Sequence, residues 1–415
     1  MKIVVLGAGI VGVSTAYWLA QDGHEVEVID AASDVATDAS AGNAGFIAPN
    51  DSFAWASPSA PAQLVRSLFG ESTGLRIRPS LDPDMYTWGL RFLRECTNSR
   101  AYQNSVAQML LSQYSVRLQE EVEAAEGIEY SVTRRGALYL YRDPRKLEKA
   151  AARIPMFEKH GLKQEVVTVD TIIDKEPSLT AVSGKFAGAI YGASDASGDC
   201  RTFTRELARR CESALNVQFT LNTSVTALEA GSGRILNALT SAGPKRADLF
   251  VLSLGVGSTA VARTVGMKLP IYPFKGYSAT FPVINSDLVP VMPAVEQTSL
   301  IAWSRFDDRL RMSSTAEMVG LDRTWRPKDF ASIVAMAEEL FGDGIDIKHG
   351  EFRACLRPMT PDGPPIIGYG KYPNLLANTG HGHLGWTMGL GTGRIAADLV
   401  AGREPEVVPT RRWLS

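Results

Sequence analysis

A chain of 415 residues, 45% hydrophobic and 21% charged, is ordinary globular material, long enough for two domains and a core that encloses a cofactor. Its 43 basic and 45 acidic residues leave a net charge of -2, which provides no positive field to hold a polyanion, so nucleic acid is not expected as a partner. The four cysteines show no CxxC pairing and the five histidines no HExxH spacing, so neither a disulfide framework nor a metal site is expected, and a reducing, cytoplasmic compartment fits.

Residues 1–6, MKIVVL, lead straight into a glycine turn and leave no room for a secretory apolar region. No run approaches the roughly 18–20 apolar residues that span a bilayer. Ile3–Leu6 is apolar and β-branched, as a buried parallel strand is. Val11–Gln21 reads as a helix ended by Asp22-Gly23, and Glu25–Ile29 as a second strand leading to Asp30. Residues 46–62, with Pro49, Pro58 and Pro61, read as a long loop. Residues 62–79 place Leu64, Val65, Leu68 and Phe69 beside Arg66, Arg76 and Arg78; they read as a core-facing segment or as a peripheral membrane contact. Residues 82–126 read as helical, with Val106, Leu110, Tyr114, Leu118 and Val122 forming an apolar stripe. Strands are expected at Val217–Leu221, Leu249–Leu254, Ile271–Pro282, Leu310–Met312 and Ile366–Gly368, and a last helix at Trp386–Ala401.

The first turn, Gly7-Ala8-Gly9-Ile10-Val11-Gly12, matches G-x-G-x-x-G between a strand and a helix. Gly7 permits the tight turn, Gly9 the approach of a pyrophosphate, and Gly12 close packing of helix on strand. The helix N-terminus offers N–H groups and positive partial charge to phosphates. Asp30, ending the next strand, suits ribose hydroxyls and disfavours a 2′-phosphate, but does not separate FAD from NAD.

The far end of the chain makes that choice. Arg357-Pro358-Met359-Thr360-Pro361-Asp362-Gly363, then Asn378-Thr379-Gly380-His381-Gly382-His383-Leu384-Gly385-Trp386, resemble the bacterial FAD-dependent D-amino acid dehydrogenases of the D-amino-acid oxidase superfamily. The likeness extends to Asn43-Ala44-Gly45, Gly198-Asp199-Cys200 and Lys275-Gly276-Tyr277-Ser278. It implies an α/β fold: a doubly wound FAD-binding domain (1–45, 165–260 and 350–415), interleaved with a substrate domain of antiparallel sheet and helices (46–164 and 261–349).

The resemblance also assigns roles. Arg357 would pin the substrate carboxylate, with an ion pair to an acid such as Asp362 as the structural alternative. Tyr277 would reach the same carboxylate or simply pack, and Lys275 would touch the flavin or be paired; Arg305 and Arg311 are lesser candidates. Gly382, His383, Leu384 and Gly385 would bring a helix N-terminus to the flavin ring, with His383 lining the site or facing solvent. Ser40, Asn43, Ala44 and Gly45 would run from pyrophosphate to ring, while Val225 and Gly255 would border the adenosine.

Two departures from the family stand out. Phe46 replaces a glutamate, and Asn50-Asp51 a glycine–tyrosine pair, at the lid, so the substrate side chain would meet an acid; a cyclic imino acid of the D-proline or hydroxy-D-proline type, or a basic D-amino acid, is expected. Cys355 stands where relatives carry glycine and related sarcosine oxidases carry a flavin-linked cysteine; a thioether and a small buried hydrophobe are the two readings. The expected reaction is hydride transfer from Cα to FAD, with a quinone or other carrier as acceptor and possible contact with the inner face of the cell membrane. An oxidase of sarcosine, glycine or another secondary amine, and a non-catalytic flavoprotein subunit, are the rivals.

Overall fold

The computed structural model describes residues 1–68, 75–78 and 80–408. A six-stranded sheet and a nine-stranded sheet dominate it, with two small three-stranded sheets beside them. The six-stranded sheet runs Gln218–Thr220, Glu25–Ile29, Lys2–Leu6, Leu249–Leu252, Leu375–Thr379 and Ile366–Tyr369. All neighbours are parallel except the last strand, which pairs antiparallel. Its central strands are buried along nearly their whole length, as strands covered on both faces must be.

This order brings distant segments together. Gly7, Asp30, Gly255 and Gly380 all follow the C-terminal ends of these strands, the edge at which open α/β sheets bind ligands. On one face lie the first helix, Ile10–Gln21, and the last, Gly385–Val400. Glycines allow the approach: a Cβ on Gly393 would lie 2.8 Å from the backbone of Ser14, and one on Gly391 would lie 2.8 Å from Cβ of Ser115.

The nine-stranded sheet carries the second layer, in the order Glu351–Met359, Tyr272–Pro282, Arg309–Met318, Ile301–Phe306, Ala294–Glu296, Ala137–Tyr141, Gly188–Gly192 and Gln164–Val167, with Leu75–Ile77 added beside Arg309–Met318. The boundaries expected at 165 and 350 do not coincide with the sheets. Strands Gly188–Gly192 and Glu351–Met359, placed by those boundaries with the glycine turn, pair in the nine-stranded sheet.

Several expected elements shift. Residues 46–62 are not wholly loop: Phe46–Ile47 pairs with Ala196–Gly198, Pro49–Asp51 forms one 3₁₀ turn, and a helix begins at Ala60. The helical stretch divides into Pro83–Glu95 and Asn98–Glu126, with Thr97 capping the second. Its buried face includes Ser105, Ser112 and Ser115, and Leu110 is exposed. Ser115 packs against Gly391 of the last helix, while Ser105 and Ser112 bond Ala54 and Ser52, so the apolar stripe was misphased at Leu110. Of the segment 62–79, Phe69 lies outside the described residues, and Arg78 pairs with Glu317 at 2.6 Å. No helix among the described residues is long and apolar enough to cross a membrane.

Candidate active site

A single cavity of about 1640 Å³ runs from Asp30, Val225 and Gly255 past the first glycine turn to Arg357, His383 and Asp51. Pockets for drug-sized ligands hold roughly 300–1,000 Å³, so this one has room for a dinucleotide and a substrate together.

The glycine turn is built as its sequence requires. Gly7 has φ +111°, and a Cβ there would lie 2.4 Å from the Ser253 carbonyl oxygen; a Cβ on Gly12 would lie 1.9 Å from the Gly7 oxygen. Asp30 accepts the Ala8 N–H at 2.7 Å, and the Ser40 hydroxyl accepts the Ile10 N–H at 3.1 Å. Gly9, Ile10 and Val11 line the cavity where the first helix begins, and Leu384 and Gly385 line it where the last begins. Neither N-cap residue supplies a side-chain hydrogen bond. Two helix N-termini thus offer N–H groups to an anionic, electron-accepting ligand. These cradles, the glycines and the cavity volume fit FAD.

Of the other expected cofactor residues, Asn43, Ala44 and Gly382 also line the cavity. Gly45 does not line it: its φ is +81°, and a Cβ would lie 2.3 Å from the Phe306 ring.

Register decides the fate of the substrate residues. Phe274 lies opposite Arg357, and Gly276 opposite Cys355, so these four share one sheet face. A Cβ on Gly276 would lie 2.4 Å from a guanidinium nitrogen of Arg357; the arginine lies flat over the missing side chain. Burial works against its charge and lowers its pKa. His383 also lines the cavity; burial, then the Arg357 charge, push its pKa down to about 3, so the imidazole is neutral. Its ring stacks on Trp55, with centroids 4.8 Å apart and planes at 28°.

Lys275 and Tyr277 point the other way. Tyr277 is buried outside the cavity, with its hydroxyl bonded to Glu317. Lys275 bonds Asp322 at 3.2 Å and the Thr324 carbonyl at 2.9 Å. Both are packing and pairing residues, so the carboxylate contact read for Tyr277 is corrected. Arg311 bonds Thr280 at 3.1 Å, and Arg305 bonds backbone carbonyls.

At the lid, Phe46 and Asp51 line the cavity. Asn50 does not: it is buried behind the wall, and its N–H and amide donate to Asp195 at 2.9 and 3.1 Å. Burial pushes the carboxyls of both Asp51 and Asp195 up to about 7, and Asp195 adds to the rise at Asp51. Cys355 is buried in the cavity wall, its Sγ 3.9 Å from the Gly42 carbonyl, and burial raises its thiol pKa.

Trp55 and Asp195 were not singled out from sequence. Trp55 was visible only as an aromatic in a proline-rich loop, and nothing in the sequence marks Asp195.

The fold and the cavity together define a flavin-dependent oxidoreductase. The chain belongs to the family described as FAD dependent oxidoreductase, whose model matches residues 2–399, and its cofactor is FAD. It is 42% identical over 99% of its length to D-amino acid dehydrogenase 2 of Mesorhizobium japonicum, covering 98% of that protein. It is 38% identical to D-amino acid dehydrogenase of Chromohalobacter salexigens, over 99% of this chain and 98% of that one. Among solved structures, glycine oxidase from Bacillus cereus superposes with a TM-score of 0.74 at 19% identity, over 98% of both chains. L-proline dehydrogenase from P. horikoshii superposes with a TM-score of 0.73 at 17% identity, over 98% of this chain and 94% of that one; both share the fold.

Proposed function

We propose that the chain is a D-amino acid dehydrogenase whose preferred substrate is a cyclic imino acid of the D-proline or hydroxy-D-proline type. The observation that carries this reading is Arg357, laid over Gly276 inside the cavity, beside a histidine kept neutral. A planar cation in a low-dielectric wall binds a carboxylate with two parallel hydrogen bonds and so fixes the orientation of Cα. Neutral His383 on Trp55 completes a flat wall that adds no competing charge near that carboxylate. FAD, when bound, accepts the hydride from Cα. The substrate nitrogen gives its proton to water, and the imino product hydrolyses or remains a ring imine. The cofactor layer is assigned to the six-stranded sheet and the segments beyond its strand ends, with Val225 and Gly255 at the adenosine end. Tyr277 has no step in this scheme.

The test is anaerobic. D-proline, hydroxy-D-proline and other D-amino acids are expected to bleach the visible flavin band of the holoenzyme, while L-enantiomers leave it unchanged. Reoxidation is expected to be fast with a quinone analogue in anionic vesicles and slow with air. Exposed Leu81, Tyr86, Leu90 and Leu93, around the helix Pro83–Glu95, offer the membrane an apolar face. Bleaching by sarcosine or glycine with rapid peroxide formation would replace this reading with an amine oxidase. Tight flavin that no amine bleaches would indicate a non-catalytic subunit.

We propose that the flavin is held without a covalent bond. Burial keeps the Cys355 thiol protonated, and the thiolate is the nucleophilic form. Acid precipitation is expected to leave the yellow colour in the supernatant; a coloured pellet resistant to washing would establish the thioether.

A further inference from the structure

The turn that carries Asp51 is held from behind by the far edge of the nine-stranded sheet. Asp195 is 2% exposed and accepts three hydrogen bonds: from the Asn50 N–H at 2.9 Å, the Asn50 amide at 3.1 Å and the Tyr139 hydroxyl at 2.7 Å. Gln164 adds a bond to the Asn50 carbonyl at 3.0 Å. A Cβ on Gly192 would lie 2.4 Å from an Asp195 oxygen and 2.9 Å from the Asn50 amide nitrogen, so a missing side chain is what lets this clamp close. Asp51 lines the cavity, and its carboxyl has no hydrogen-bond partner among the described residues. Flavin binding calls for none of this.

We propose that Asp195 is a positioning residue for Asp51, and that the two carboxyls act as one coupled unit in which Asp51 donates a hydrogen bond to an oxygen on the substrate's side chain. The inference rests on the site being one for D-amino or imino acids. It selects, within that reading, side chains that carry a hydroxyl or another oxygen over cationic ones.

The physical argument is one of charge placement. Two neighbouring carboxyls in a low-dielectric pocket do not both ionise at neutral pH. The single negative charge settles where donors already point, and Asp195 has three. The three donors on Asp195 therefore place the proton on Asp51, while burial raises both groups. The groups facing Asp51 are Asp195, Arg153, Tyr139 and Tyr141. Lys146, Lys149, Arg357 and His383 also line the cavity. Arg153 pulls against the rise, but burial and Asp195 outweigh it.

The experiment compares kcat/KM of the holoenzyme for hydroxy-D-proline and D-proline between about pH 5.5 and 8.5, because their ratio largely cancels the titration of the ring nitrogen. The ratio is expected to fall through a transition near 7 as Asp51 loses its proton. In Asp195→Asn the transition should move toward acid by about one pH unit, since the neighbouring charge is gone. In Asp51→Asn it should vanish. A ratio indifferent to pH in the unaltered enzyme, or a transition that survives in Asp51→Asn, overturns the proposal. Infrared difference titration of the substrate-free holoenzyme separates the two readings: a protonated-carboxyl band of Asp51 is expected, lost in Asp51→Asn whatever band Asp195 retains. That band without turnover of either compound overturns the substrate reading alone; its absence overturns the coupled pair. If Asp195→Asn does not load flavin, the Asp51→Asn comparison still decides by both readouts.

Discussion

Arg357→Ala is expected to lower kcat/KM about 30- to 5000-fold, the equivalent of losing about 2–5 kcal/mol of buried charge pairing. The loss should fall on both constants. KM rises because the carboxylate loses its partner, and kcat falls because Cα is no longer held in one orientation. Arg357→Lys keeps the charge but not the planar fork, and should fall between the two. A melting curve separates lost catalysis from lost folding, since the truncation also removes a buried side chain. Steady-state kinetics with a melting curve on the same preparation checks both halves. Unchanged kinetics in Arg357→Ala would remove the arginine from substrate binding.

Gly12→Ala is expected to yield protein that does not load flavin. The new Cβ would lie 1.9 Å from the Gly7 oxygen, so the helix Ile10–Gln21 must leave the turn that forms the cradle. Overpacking of this kind costs about 1–3 kcal/mol or more. Lost binding removes a further ~4 kcal/mol of apparent stability if free flavin stands a thousandfold above Kd. Gly23→Ala is the control. Unlike Gly12 it sits at positive φ, +82°, but nothing lies within 4 Å of its Cβ, so it should cost about 1 kcal/mol and load flavin normally. The ratio of flavin to protein absorbance reads both variants directly.

The cofactor end of the site was legible in the sequence because its requirements are local. A strand, three glycines, a helix and an acid at the end of the next strand follow closely in the chain, and Gly12 answers a contact within the turn itself, although Gly7 and Gly9 face Ser253 and Ser40. Arg357 was legible through its motif. Tyr277 was not, because its direction depends on the pairing of Gly276 with Cys355, and no sequence pattern announces register between strands so far apart. Asn50 and Asp51 looked equivalent as neighbours. One turn of 3₁₀ geometry sends one into the cavity and the other behind it. The stripe on Asn98–Glu126 failed at Leu110 for a different reason: there the buried face is partly polar, with serines bonded to Ser52, Ala54 and Gly391, and hydrophobicity alone misreads it.

The seam between the first and last helices bears on the order of assembly. Strand Lys2–Leu6 is made long before Leu375–Thr379, yet its sheet is complete only with that strand, and Gly393 must then settle against Ser14. At about 5–20 residues per second, the ribosome takes roughly 20–75 s to travel between those strands. Through that interval the sheet keeps an open apolar edge, first on Lys2–Leu6 until Leu249–Leu252 pairs with it, then on Leu249–Leu252 itself. The flavin meets a finished cradle only once Leu375–Thr379 and the helix Gly385–Val400 have been made.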